Sequence, residues 1–274
     1  MRARGDSIRS TQGAYNKPMR PFFHRDFLCI GHRGAPEAAP ENTLSSFALA
    51  IAQGADAIEL DVQLVEDTLV VIHDDELDRT TTGSGRVDAI SLEALRGLDA
   101  GGGERVPLLS EVLDLAVDKV GVNIELKGRG TAEPTAALLR ERGQVPAGIL
   151  LSAFDHRELA AARAVAPEYP RAALFGRLRG NPIKASLAVG AVAMNLHRRT
   201  ARADLIGSAR DVGLATLVYT VNDTDEALKL RHMGAAGIFT DVPERILQAL
   251  GRGSQTSRSS AVSSRASVNS RDVT

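Results

Sequence analysis

The sequence predicts a (β/α)8 TIM-type barrel. Three observations predict it: eight short apolar runs of strand length, helical stretches between nearly all of them, and polar residues gathered where those runs end. The runs cover 28–31, 57–65, 121–126, 149–153, 172–175, 191–195, 214–220 and 237–240. Helical patterns cover 43–53, 109–117, 133–142, 155–165, 182–189, 201–212 and 224–233, and 244–250 closes the series. Start signals stand where helices should begin: Asn42 or Thr43 for the first, then Ser110, Asp155, and Asp223 or Thr224. Gly54, Gly143, Gly213 and Gly234 follow helical stretches, where a left-handed terminus costs glycine little.

One run breaks the alternation. Leu69-Val70-Val71-Ile72 follows the second strand after only Glu66-Asp67-Thr68, too few residues for a parallel crossover. It must return as an antiparallel hairpin, which brings His73 to the height of Glu59 and Asp61 at the C-terminal face of the barrel. The stretch of about 75–107 is long for a plain loop and reads as a small insertion over the barrel mouth, with a helix at 91–96. Gly83 and Gly85 read as a turn, because no G-x-G-x-x-G and no Walker lysine follows.

A chain of 274 residues with net charge -1 fits one barrel domain and gives no sign of nucleic-acid binding. No run approaches the roughly 18 apolar residues that would insert stably in a membrane. The single cysteine, Cys29, excludes an internal disulfide framework and reads as a small buried hydrophobe. Residues 1–26 are polar and Arg-rich, without the apolar centre of a secretory signal, so a disordered extension and a cytoplasmic location are expected. The barrel is expected over 27–250. The segment 251–274 is rich in serine and arginine and reads as a disordered tail. Nothing in the sequence bears on oligomeric state.

Side chains at i and i+2 of a strand share a face, so Glu59 projects with Asp61, and Glu125 with Lys127. Carboxylates crowded on one face repel and are costly to desolvate, which a divalent cation relieves; oxygen donors favour Mg2+, Mn2+ or Ca2+. The alternative is a pair of salt bridges to Arg33 and Lys127. His32 alone would read as a structural histidine, but beside His73 and a metal it becomes a candidate general acid or base. Arg33 offers a forked grip on a phosphoryl oxygen. Gly34 allows a turn or a close backbone approach. His24, His156 and His232 read as surface or capping residues, and His197 as part of a solvated basic loop.

The ordered strings His32-Arg33-Gly34, Pro40-Glu41-Asn42-Thr43, Glu59-Leu60-Asp61-Val62 and Val71-Ile72-His73-Asp74 resemble the glycerophosphodiester phosphodiesterases. So do Asp78-Arg79-Thr80-Thr81, Glu125-Leu126-Lys127, Ser152-Ala153-Phe154, Thr220-Val221-Asn222 and Thr240-Asp241-Val242-Pro243. The resemblance spans roughly 28–250 and includes the inserted segment. It implies hydrolysis of a glycerophosphodiester to sn-glycerol 3-phosphate and an alcohol, with one divalent cation. Carried over, Glu59, Asp61 and Glu125 resemble metal ligands, His32 and His73 the acid–base pair, and Arg33 and Lys127 phosphate contacts. Glu41 and Asn42 would support the first strand's loop. Phe154, Asn195, Tyr219 and Asn222 would line the mouth and touch substrate. Relatives often carry tryptophan near Tyr219, and this chain has none, which bears on the leaving alcohol. Two competing expectations are a lysophospholipase D on the same barrel and a non-catalytic binding module.

Overall fold

The strand order is a ring with one appendage. In a computed structural model, which describes residues 22–116, 118–144 and 148–252, the strands are β1 (Leu28–His32), β2 (Ala57–Val65), β3 (Thr68–Val71), β4 (Gly121–Leu126) and β5 (Ile149–Ala153). They continue as β6 (Arg171–Phe175), β7 (Ala193–His197), β8 (Ala215–Tyr219) and β9 (Gly237–Thr240). β1 pairs with both β9 and β2, so the parallel strands close into a barrel, and β3 lies outside the ring, antiparallel to β2. The hairpin turn between β2 and β3 is Glu66-Asp67, both left-handed at φ 45° and 62°. Ile72 N–H donates to Asp61 O at 3.0 Å, which sets His73 beside the end of β2.

Inside the barrel every second residue of a strand meets its counterparts. Leu28, Ile30, Ala57, Leu150, Ala172, Ala193, Leu217 and Phe239 form one interior cluster, closed from below by Phe22. Gly121 makes room for that plug, since a Cβ there would stand 3.0 Å from the Phe22 ring. Outside, α1 (Leu44–Ala52), α3 (Leu109–Ala116), α4 (Ala132–Glu141) and α5 (His156–Val165) cover the strands with the apolar stripes of their amphipathic sequences. The inserted segment keeps its own small core. Its helix α2 (Leu92–Gly97), capped by Ser91, lays Leu95 against Val70, Ile72, Leu77 and Val106. No helix among the described residues is long and apolar enough to cross a membrane.

Several expectations need correction. Residues 22–26 do not belong to the extension. Besides Phe22, Arg25 and Arg252 both pair with the buried Asp56 at 2.8 Å, and Arg252 also donates to Phe27 O. His24 stands 3.6 Å from the same carboxylate, so it does have an acidic partner. The rest of the proposed extension and tail, 1–21 and 253–274, lies outside the described residues. Ser110 does not cap α3: the helix starts one residue earlier, and Glu111 reaches back to the Leu108 N–H at 2.8 Å. The seventh strand begins at Ala193 rather than 191, a shift of two that leaves Asn195 facing inward. Thr43, Asp155 and Asp223 do cap their helices, each accepting a backbone N–H of the first turn. Cys29 is buried, and burial, then the nearby Asp56 charge, push its thiol up to about 12.

Candidate active site

The loop after β1 is where backbone conformation and chemistry meet. Arg33 is left-handed at φ 56° and Gly34 follows at φ 94°. A Cβ on Gly34 would lie 2.3–2.7 Å from Ser46 atoms, two of them backbone, so only glycine fits. Asn42, also left-handed, donates its N–H to Arg33 O at 3.1 Å, and Ser46 Oγ donates to the same carbonyl at 3.0 Å. The loop is thereby clamped against the start of α1, and the Arg33 N–H points at Glu59 Oε2, 2.9 Å away.

Strand register then assembles the carboxylates. His32 is level with Glu59 on β2, and Asp61 is level with Glu125 on β4. Glu59, Asp61 and Glu125 are all buried, and each offers an oxygen within 4.8 Å of the others. Burial, then the neighbouring carboxylates, raise Glu59 well above the usual range. Burial and Asp61 likewise raise Glu125 to about 7, against the pull of Lys127. Three buried acids that cannot all hold their charge together are the donor set that a hard divalent cation stabilises. Asn42 Nδ2 donates to Asp61 Oδ2 at 2.9 Å and so fixes one oxygen of that set. Arg33 Nε stands 3.3 Å from the same oxygen, an ion pair without hydrogen-bond alignment.

Each histidine is held by its own aspartate. His32 Nδ1 lies 2.7 Å from Asp241 Oδ1, and Asn222 Nδ2 donates to the other oxygen at 2.7 Å. Burial works against ionisation of Asp241, but His32 and the Asn222 amide outweigh it and hold the acid below its ordinary value. His73 Nδ1 lies 2.5 Å from Asp74 Oδ1. The Arg79 hydrogen bond, more than any other contact, holds Asp74 far below the carboxylate range. Arg79 also forks onto Glu41 at 2.7 and 2.8 Å, and Glu41 accepts from Arg33 Nη1 at 2.8 Å. A continuous chain of charges therefore runs from His73 across the inserted segment to Arg33. Lys127 Nζ stands 3.0 Å from His73 Nε2 and 3.4 Å from Glu125 Oε1. Burial lowers the His73 pKa, against the pull of Asp61 and Asp74.

A cavity of about 290 Å3 opens between these groups and the far wall of the barrel. His32, Arg33, Glu59, His73 and Glu125 form one side; Phe154, Asn195, His197 and Tyr219 form the other. Phe154 and His197 each meet the Tyr219 ring edge-on, at 6.1 and 5.8 Å between centroids. His197, assigned from sequence to a solvated loop, is thus part of the cavity wall. Asn222 is not: it lines a neighbouring depression and spends its amide on Asp241. Asp241, Asp74 and Arg79 lay within quoted motifs yet received no role. Their signal was position, since Asp74 directly follows His73 and Asp241 directly follows the end of β9.

Comparisons agree with this geometry. The model of the glycerophosphoryl diester phosphodiesterase family matches residues 32–245. YhdW of Bacillus subtilis strain 168 is 42% identical over 80% of this chain and 96% of its own length. A glycerophosphodiester phosphodiesterase of Caldanaerobacter subterraneus subsp. tengcongensis is 34% identical over 82% of this chain and 98% of that protein. Among solved structures, an Oleispira antarctica phosphodiesterase in complex with its product sn-glycerol-3-phosphate superposes with a TM-score of 0.78. It is 31% identical and covers 82% of this chain and 96% of that one. With the family model matched over residues 32–245, relatives 34–42% identical over about 80% of the chain and a solved phosphodiesterase of the same fold, this chain belongs to the glycerophosphoryl diester phosphodiesterase family, a family of enzymes.

Proposed function

We propose that the protein hydrolyses glycerophosphodiesters to sn-glycerol 3-phosphate and an alcohol, using one divalent cation, Mg2+ or Ca2+, with Mn2+ also suited to the donors. The observation that carries this is the buried cluster of Glu59, Asp61 and Glu125 oxygens, of which Glu59 and Glu125 line one cavity with two histidines, each held by an aspartate. The triad would hold the cation, which when bound supplies positive charge against the phosphodiester oxygens. Oxygen-only donors and the strained ionisation of Glu59 and Glu125 fit such an ion.

Arg33 faces the cavity with its orientation fixed by Glu41 and Asp61, and grips a phosphoryl oxygen there. Lys127 adds a second cation beside Glu125. His73 is held at Nδ1 by Asp74, and its Nε2, which meets Lys127 Nζ at 3.0 Å, takes the proton of the nucleophile once Lys127 turns to the phosphate. His32, held at Nδ1 by Asp241, delivers a proton from Nε2 to the leaving oxygen as the P–O bond breaks. Water and the glycerol 2-hydroxyl both qualify as nucleophile; the hydroxyl route passes through a cyclic phosphate and gains from proximity. Phe154, Asn195 and Tyr219 contact the substrate across the cavity, while Glu41, Asn42 and Asn222 support the groups that do the chemistry.

Single-turnover analysis of products checks the route: a transient cyclic glycerophosphate marks attack by the hydroxyl, and glycerol 3-phosphate that appears together with the alcohol, with no cyclic precursor, marks direct attack by water. Absence of both products would overturn the assignment.

A further inference from the structure

The wall opposite the acidic triad carries an unexplained feature. Asn195 is fully buried, yet neither Nδ2 nor Oδ1 has a hydrogen-bond partner. It lines the same cavity as Glu59 and Glu125. Along β7 it is level with Leu217 of β8, while His197, two residues on, is level with Tyr219, so Asn195 sits one interior layer deeper than that ring. The Tyr219 hydroxyl is also buried without a partner, and Tyr219 lines the same cavity. A buried amide with both ends unpaired costs several kcal/mol in an apolar setting unless something supplies the missing bonds.

The pair of groups is selective in kind. An amide oxygen accepts, an amide nitrogen donates and a phenol hydroxyl does either, which is the complement of an alcohol and carries no net charge. It does not complement a quaternary ammonium or an acyl chain. The cavity, about 290 Å3, is at the small end for ligand sites.

We propose that Asn195, assisted by the Tyr219 hydroxyl, is a specificity-determining residue that reads a free hydroxyl of the substrate's glycerol group, and so admits deacylated glycerophosphodiesters while rejecting substrates whose glycerol is acylated. The proposal rests on the phosphodiesterase reading above. A site built to hydrogen-bond a hydroxyl discriminates strongly against an analogue lacking it, because its own polar atoms are then stranded.

The test compares kcat/KM for glycerophosphocholine, its analogue with the terminal glycerol hydroxyl replaced by hydrogen, and lysophosphatidylcholine. The wild type should prefer glycerophosphocholine over the other two by roughly 10^2-fold or more. Asn195→Leu, close to asparagine in volume, should collapse the preference for glycerophosphocholine over the deoxy analogue to within several-fold. Tyr219→Phe, which keeps the ring, should reduce it by roughly tenfold. Equal wild-type turnover of the deoxy analogue, or an Asn195→Leu loss that leaves the ratio intact, would overturn the assignment. Lack of wild-type turnover of every substrate here, together with an inert aryl phosphodiester control, would overturn the phosphodiesterase reading with it; cleavage of the aryl control alone would overturn only the glycerol specificity.

Discussion

His32 Nδ1 and Asp241 Oδ1 lie 2.7 Å apart across 209 residues of chain, joined because β1 and β9 are neighbours where the barrel closes. The hydrogen bond fixes which ring nitrogen of His32 is left for the cavity. Asp241→Asn keeps the size of the side chain but can present an N–H to Nδ1 and so favour the wrong tautomer. A loss of about 10^2 in kcat is expected, with little change in thermal stability. Steady-state kinetics on a folded variant checks it; retention of more than a third of wild-type kcat would remove Asp241 from the mechanism.

The acidic triad predicts an unusual pH response for the metal-free protein. The Glu125 carboxyl ionises near 7 in the folded state against an ordinary value of 4.5, because burial and Asp61 penalise its charge. Between those values the folded protein holds a proton that the unfolded chain has released. This group's penalty on stability is therefore absent below about 4.5, grows as pH rises, and is complete above about 7, where it amounts to roughly 3 kcal/mol at most. In EDTA at pH 8, Glu125→Gln should melt several degrees above the wild type, and the gap should close towards pH 4.5. Added Mg2+ or Ca2+ should raise the wild-type midpoint at pH 8 far more than that of the variant. A variant no more stable than wild type at pH 8 would contradict the burial of charge at this site.

Gly34 supports the same site through backbone alone. Gly34→Ala places a methyl against the Ser46 backbone at a residue whose φ is 94°. A destabilisation above about 2 kcal/mol is expected in urea unfolding, with loss of activity from displacement of Arg33 and Asn42. Wild-type stability in this variant would contradict the tight loop.

The opposite end of the barrel should behave independently. Asp56 accepts from the Cys29 N–H at 2.8 Å and pairs with Arg25 and Arg252, which bind both ends of the described chain to one carboxylate. Asp56→Ala strands the buried Cys29 N–H and releases both arginines, and should cost about 3 kcal/mol, while kcat at a temperature where the variant stays folded remains within about twofold. Unaltered stability would show that the terminal segments are held by other contacts.

How much of this was legible in the sequence follows from the range of each signal. The i, i+2 rule put Glu59 and Asp61 on one face, and the three-residue gap before Leu69 forced the hairpin that brings in His73; both are local and both appear in the structure. Asp241 was visible as a strand-end acid, but its partner lies on a strand that only ring closure makes adjacent. Phe22 gave no periodic signal, since one aromatic residue that plugs a barrel belongs to no strand or helix pattern. His197 looked solvated amid arginines, yet inward alternation along β7 carries it to the wall beside Tyr219. Asn222 was placed at the mouth by its motif, whereas the pull of Asp241 turns it away.

The central claim is metal-dependent cleavage by the two histidines. Its most direct test is release of glycerol 3-phosphate from glycerophosphocholine by the purified full-length protein, in EDTA and then with Mg2+, Mn2+ or Ca2+, beside His32→Ala and His73→Ala. Release that requires a divalent cation and falls at least about 10^2-fold in each variant is the expected result. Release that persists in EDTA, or near-normal turnover in both variants, would contradict it.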